Sequence, residues 1–167
     1  MKGMKIGIII IFYNNENGIN KYLFSKQIKK TQNINFCLVN NCSNDKTYQI
    51  LKEIKEECGS TVSIVNVKKK SSEASAKRAG ARYMINQFEL KHLCYINTKP
   101  IDLTNNSFYN LIKNISDYQK EILEYNIENL KKKEIRKMKY QSLFSVIENI
   151  KKTQSKRQFS NVVFNLK

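Results

Sequence analysis

Unbroken apolar runs alternate with helically spaced ones through the first hundred residues. Residues 6–13 (Ile-Gly-Ile-Ile-Ile-Ile-Phe-Tyr) contain no polar side chain and are mostly β-branched, which marks a strand covered on both faces. After the polar Asn14 to Asn17, the spacing Ile19, Tyr22/Leu23, Ile28 predicts a first helix from Gly18 to about Lys30. Residues 36–39 (Phe-Cys-Leu-Val) predict a second, short strand. Ser43 or Asn44 is expected to cap a second helix that carries Asp45 in its first turn, with Tyr48, Leu51 and Ile54 on one face and Gly59 as the stop. A third strand, residues 62–67, ends at Lys68, Lys69 and Lys70. Ser71 or Ser72 then caps a third helix, residues 73–88, whose Ala74, Ala76, Ala79 and Gly80 permit close packing on a sheet. Residues 93–96 predict a fourth strand that leaves Asn97, Thr98 and Lys99 at its end, and Pro100 keeps Lys99 out of the helical region.

The pattern changes after Leu103. Between Phe108 and Tyr125, Leu111, Ile115, Tyr118, Ile122 and Tyr125 recur at alternating steps of four and three, a narrow seam suited to another helix. Beyond a charged stretch, Tyr140, Leu143/Phe144, Ile147 and Ile150 form a second such face, and residues 161–166 read as a last strand. The organisation expected is an α/β core over residues 1–103 and a helical extension over residues 104–167 packed on the same domain. Its seams serve either internal packing or homo- or hetero-oligomerisation.

Four strands joined by three helices give a β-α-β-α-β-α-β order, and right-handed crossovers make such a sheet parallel. Ligands of open α/β sheets bind at the carboxyl ends of the strands. Those ends carry Tyr13-Asn14, Asn40-Asn41, Lys68-Lys69-Lys70 and Asn97-Thr98-Lys99, which offer amides for a base or ribose and point charges for phosphate.

Composition narrows the partners. At 167 residues one domain is expected, and 41% hydrophobic residues suffice for a core. The formal charge of +16 attracts phosphates, nucleic acids or anionic membranes, but the basic residues, mostly lysine, are spread along both halves. None of the RRM, KH, zinc-finger or basic-zipper signatures is present, so nucleic-acid affinity would be non-specific and would fall with salt. Cys37, Cys42, Cys58 and Cys94 lack C-x-x-C spacing, and His92 alone is available to join them. Reduced core thiols and a cytoplasmic location follow, or a peripheral place at a membrane surface. The first apolar run is short and is followed by Asn14 to Asn17 instead of a small-residue cleavage site, so it reads as a strand. No run reaches membrane-spanning length.

Val39-Asn40-Asn41-Cys42-Ser43-Asn44-Asp45-Lys46-Thr47 resembles the V-D-D/N-G/N-S-x-D-x-T signature of family 2 glycosyltransferases of the GT-A (nucleotide-diphospho-sugar transferase) fold. The run from Ile8 to Glu16 is similar to that family's opening strand and its P-x-Y-N-E turn, with Ile11 in place of proline. Lys70 to Gly80 resembles the N-x-G-x-x-x-A-x-N-x-G helix start, keeping Ala76 and Gly80 and carrying Arg78 at the second Asn. Tyr95 to Lys99 lies where the family has its D-x-D. The resemblance covers roughly residues 4 to 100. It implies a Rossmann-like, mostly parallel sheet flanked by helices, and a transferase of hexosyltransferase type that takes a sugar from a nucleotide-diphospho-sugar donor to an acceptor.

The resemblance also assigns a site. Asn40, Asn41 and Asp45 would line the nucleotide side, Tyr13, Asn14 and Glu16 the base and ribose, and Asn97 and Lys99 the diphosphate, with Lys70 and Arg78 nearby. Family members contact the base through an Asp where Asn40 stands, and hold Mg²⁺ or Mn²⁺ through D-x-D carboxylates where Asn97 and Lys99 stand. An ammonium at a ligand position repels a hard cation, so no metal or other cofactor is expected, and Lys99 would supply the charge. No general base is nominated. The alternative is a GT-A-like fold that has lost catalysis and persists as a binding or partner subunit.

Overall fold

The computed structural model describes residues 6–69, 71–90, 92–98, 107–118 and 143–145. Five strands, β1 (Ile6–Phe12), β2 (Ile34–Asn41), β3 (Val62–Val67), β4 (His92–Asn97) and β5 (Leu143–Ser145), form one sheet in the order β3-β2-β1-β4-β5. Every adjacent pair is parallel. From β1 the chain builds outward through β2 to β3, then returns to β4 on the other side of β1. The order therefore reverses between β1 and β4, where a parallel sheet opens a crevice.

Helices α1 (Lys21–Lys29), α2 (Thr47–Cys58), α3 (Glu73–Gln87) and α4 (Ser107–Asp117) cover the two faces. Strand alternation decides which side chains each face receives. Ile6, Ile8, Ile10 and Phe12 of β1 join Phe36, Leu38, Leu51, Ile54 and the α4 residues Phe108, Leu111, Ile112 and Ile115 in one cluster. Ile9 and Ile11 join Cys37, Val39, Ala76, Ala81 and Met84 of the α3 side in the other. Phe24 of α1 stacks on Phe108 at 4.3 Å between centroids and meets Phe12 edge-on at 6.0 Å, so three aromatic rings tie α1 and α4 to the central strand. On the opposite face Gly80 brings α3 against the sheet. A Cβ there would lie 2.9 Å from Ile9 Cγ2 and 3.0 Å from Val39 Cγ2.

Several boundaries differ from the sequence reading. Strand β2 starts at Ile34 and continues through Asn40 and Asn41, which are therefore strand residues, because both still pair with β3. Helix α1 begins at Lys21, three residues late, where the Asn20 side chain accepts the Leu23 N–H at 3.0 Å; residues Glu16–Gly18 form a 3-10 turn. Ser43 and Asn44 do not cap α2. It starts at Thr47, and Asp45 precedes it. Ser72 caps α3 by accepting the Ser75 N–H, while Ser71 is drawn away by Asn41. Gly59 ends α2 in the left-handed region, at φ 63°, with its N–H on the Lys55 carbonyl. Leu143 and Phe144, expected on a helix, lie in β5 beside β4: a short apolar pair is ambiguous by periodicity, and an open edge of β4 supplies partners for its backbone. The other predicted elements beyond Tyr118 lie outside the described residues.

Candidate functional site

The loops that follow β1 and β2 are bonded to each other through backbone N–H groups and short polar side chains. Asn14 donates its N–H to Ser43 Oγ at 3.1 Å, and its side-chain oxygen accepts the Asn44 N–H at 2.9 Å. Asn15 N–H reaches Thr47 Oγ1 at 2.7 Å. Glu16 and Asp45 complete a reciprocal pair: the Glu16 N–H donates to Asp45 Oδ2 at 3.0 Å, and the Lys46 N–H donates to Glu16 Oε2 at 2.8 Å. The Thr47 N–H takes Asp45 Oδ1 at 3.0 Å. Loop backbone that no ladder pairs is satisfied in this way by the neighbouring loop.

Burial acts against the charge of Asp45, but the Thr47 hydroxyl and the N–H groups of Glu16, Thr47 and Asp45 itself outweigh it, so its carboxyl is held below the ordinary 3.8. Two residues of this region occupy the left-handed backbone region without being glycine, Asn14 at φ 51° and Cys42 at φ 59°. Asparagine tolerates that conformation; cysteine is less suited to it. Cys42 is held there by its thiol, which donates to the Lys68 carbonyl at 3.4 Å.

The register then aligns the strand ends. Phe12 pairs with Asn40, and Asn40 pairs with Asn66, so the two amides sit side by side on one face. Asn40, only 3% exposed, donates Nδ2–H to Asn66 Oδ1 at 2.8 Å, and its Oδ1 accepts the Ser43 N–H at 3.3 Å. Asn41 points to the opposite face, donating to the Ser71 carbonyl at 2.9 Å and accepting from the Ser71 hydroxyl at 2.9 Å, which fixes the approach to α3. Beside the Asn40–Asn66 pair lies an open cleft of about 470 Å³, lined among others by Lys46, Tyr48, Gln49 and Lys68. On the β4 side, Asn97 pairs with Ile11, and the Thr98 hydroxyl donates to the Ile11 carbonyl at 2.9 Å, locking the end of β4 to β1.

Of the residues that sequence nominates, Tyr13, Asn14, Glu16, Asn40, Asn41 and Asp45 converge on this rim. Arg78 is exposed on α3 and donates to Ser75 Oγ at 3.1 Å, apart from the cleft and the bonded loops. Asn97 is placed by its backbone at the end of β4, while Lys70 and Lys99 lie outside the described residues. Sequence reasoning missed Asn66. A polar residue near the carboxyl end of a mostly apolar strand is its available signal. Tyr48, expected on the apolar face of the second helix, lines the cleft, as does its neighbour Gln49.

Of the four cysteines, Cys37 is raised to about 12 by burial and Cys94 is raised further by the same cause, so both behave as small core residues. Among the described residues no group of three or more His, Cys, Asp or Glu side chains could hold a metal ion, and no helix is long and apolar enough to cross a membrane.

A helix-flanked parallel sheet whose switch point and polar strand ends share one rim defines a doubly wound α/β protein. The model of Glycosyl transferase family 2 matches residues 7–90, half of the chain, and the chain belongs to that family. No curated protein matches it. Among solved structures it is similar to S. aureus TarS 1–349 in complex with UDP, at 20% identity and TM-score 0.45, covering 56% of this chain and 27% of that one. The complex of TarS 1–349 with UDP-GlcNAc is similar at 18% identity and TM-score 0.45, covering 70% and 32%. Mannosyltransferase PcManGT from Pyrobaculum calidifontis in complex with GDP-Man and Mn²⁺ is similar at 16% identity and TM-score 0.43, covering 50% and 25%. The chain thus spans a quarter to a third of the length of these structures.

Proposed function

We propose that this chain binds a nucleotide-diphospho-sugar at the carboxyl rim of its sheet and acts as a glycosyltransferase that does not rely on a D-x-D metal. The observation that carries this reading is the polar cleft beside Asn40 and Asn66, at the strand ends of a family 2 chain. Base and ribose lie against the loops that begin at Tyr13 and Cys42, and the diphosphate lies toward the ends of β1 and β4. Asn14, Glu16 and Asn41 support that surface by shaping the two loops and the approach to α3, Asn40 and Asp45 line the cleft while bonded to their protein partners, and Tyr13, Lys46 and Lys68 face the ligand.

The family implies a divalent ion beside the diphosphate, and the donor set here does not suit one. Asn97 offers a neutral amide and Lys99 an ammonium where two carboxylates would be needed. The nearby carboxylates of Glu16 and Asp45 already accept backbone N–H groups of the opposing loop. The Lys99 ammonium would supply the positive charge that stabilises a departing nucleoside diphosphate. The same engagement of Glu16 and Asp45 by backbone N–H groups favours a second reading, binding without transfer. No Glu-Asp dipeptide follows Asn97.

Calorimetric titration of UDP-, GDP-, ADP- and CDP-linked sugars in EDTA tests the binding. Affinity is expected to survive the chelator, and Lys99→Ala is expected to weaken it about tenfold. No heat at millimolar ligand overturns the reading. Release of nucleoside diphosphate from bound donor separates transfer from binding alone.

A further inference from the structure

Hydrogen-bond polarity in the cleft points to a choice among nucleobases. The Ser43 N–H can only donate, and it is directed at Asn40, so the buried Asn40 amide must turn its oxygen toward Ser43. Its nitrogen consequently faces Asn66 and donates to Asn66 Oδ1 at 2.8 Å. Asn66 has its oxygen turned toward Asn40 in turn, and its NH₂ group is the donor that the amide adds to the cleft it lines. One backbone donor therefore sets the polarity of two amides in succession.

Two lysines of the lining share that polarity. Lys46 and Lys68 can only donate. Asp45, the carboxylate among the lining residues, accepts the Glu16 and Thr47 N–H groups, one on each oxygen. Tyr48 supplies an aromatic ring on which a planar base can lie. A planar base that turned its ring edge to Asn66 would meet that NH₂ donor.

We propose that the Asn40–Asn66 relay makes Asn66 a specificity residue, selecting bases whose Watson–Crick ring nitrogen is an acceptor, cytosine and adenine, over those whose ring nitrogen carries a hydrogen, uracil and guanine. The proposal rests on the nucleotide-binding reading above and adds to it which base the cleft takes. A uracil or guanine ring N–H would face the Asn66 NH₂ donor to donor, and the site would lose one bond while desolvating two donors.

The test is calorimetry with the matched pairs CDP against UDP and ADP against GDP, on the whole chain, for the native protein, Asn66→Asp and Asn66→Ala. Asn66 is exposed, so both variants should fold, which thermal melting checks. CDP is expected to bind about tenfold tighter than UDP, and ADP than GDP. In Asn66→Asp one carboxylate oxygen takes the Asn40 N–H and the other presents an acceptor to the cleft, so both ratios should invert. In Asn66→Ala they should approach one. Native binding of UDP as tight as CDP overturns the proposal and leaves nucleotide binding intact, as does a preference that neither variant moves. Absence of binding by all four overturns the nucleotide-binding reading and this proposal with it.

Discussion

Asp45 illustrates how a residue of ligand-binding type can be spent on the fold. Each of its oxygens closes a bond to a backbone N–H, one in its own loop and one in the loop after β1. Replacing it by Ala should cost about 2 kcal/mol, because charged acceptors are stronger than neutral ones and their donors would be left without partners. The pH dependence has a defined sign. A carboxyl held below 3.8 in the folded chain contributes stability that is fully present above the unfolded value and is lost as pH falls through the lower folded value. Urea midpoints of native and Asp45→Ala proteins should therefore differ by a constant amount above about pH 5 and converge in acid below 3.8. A gap that widens on acidification would exclude this role.

Cys42 makes a related point about backbone. At φ 59° its side chain occupies a conformation that favours Gly or Asn, the residues of the family signature at this position. Cys42→Asn is expected to keep or raise the melting temperature, while the β-branched Cys42→Val should lose about 1–2 kcal/mol. Equal melting temperatures for the two would show that the left-handed turn is not maintained in solution. In sequence, the same cysteine stands at the Gly/Asn position of that signature, and its backbone conformation is the structure's to show.

At the scale of elements, the fit of α3 to the sheet is set by Gly80. Alanine there gains about 1 kcal/mol of helix propensity but forces Ile9 or Val39 to move, at about 1–3 kcal/mol. The net expectation for Gly80→Ala is a loss of about 1 kcal/mol in denaturant unfolding. Gly18 has nothing within 4 Å of its would-be Cβ, so Gly18→Ala should be close to neutral. The aromatic stack of Phe24 on Phe108 acts on the other face, where Phe108→Ala should cost about 3–5 kcal/mol if α4 packs as described. A near-neutral Phe108→Ala would detach α4 from the core.

Element existence was legible where the period was long and clean. The uninterrupted isoleucines of β1 and the small-residue face of α3 declared themselves, as did the stop at Gly59. Loop function was not legible in the same way. The family resemblance assigns Glu16 and Asp45 to the ligand side; what it does not hold is that the two loops also bind each other's amides across about thirty residues. Such pairing depends on which strands are neighbours, and local pattern holds no record of it. The turn of Leu143 and Phe144 into β5 fails for the same reason: the partner strand decides.

On the scale of the whole molecule, the chain carries a formal +16 and the rim is mostly neutral amide and lysine, so anion binding there should have a salt-dependent general component and a base-dependent local one. Raising salt is expected to weaken all nucleotide diphosphates alike while leaving the CDP to UDP ratio unchanged, which titration at two ionic strengths checks. A ratio that collapses with salt would assign the selectivity to long-range charge.

The amino-acid sequence by itself determined the alternation of strand and helix, the parallel sheet and the polar character of its strand ends, because burial on two faces demands unbroken apolar runs and short crossovers allow one handedness. Only the tertiary structure decided which of those polar ends work together. Register set Asn40 opposite Asn66, and one backbone N–H at Ser43 then oriented both amides. A hydrogen bond has direction as well as partners, and that direction exists only once three separate segments of chain meet.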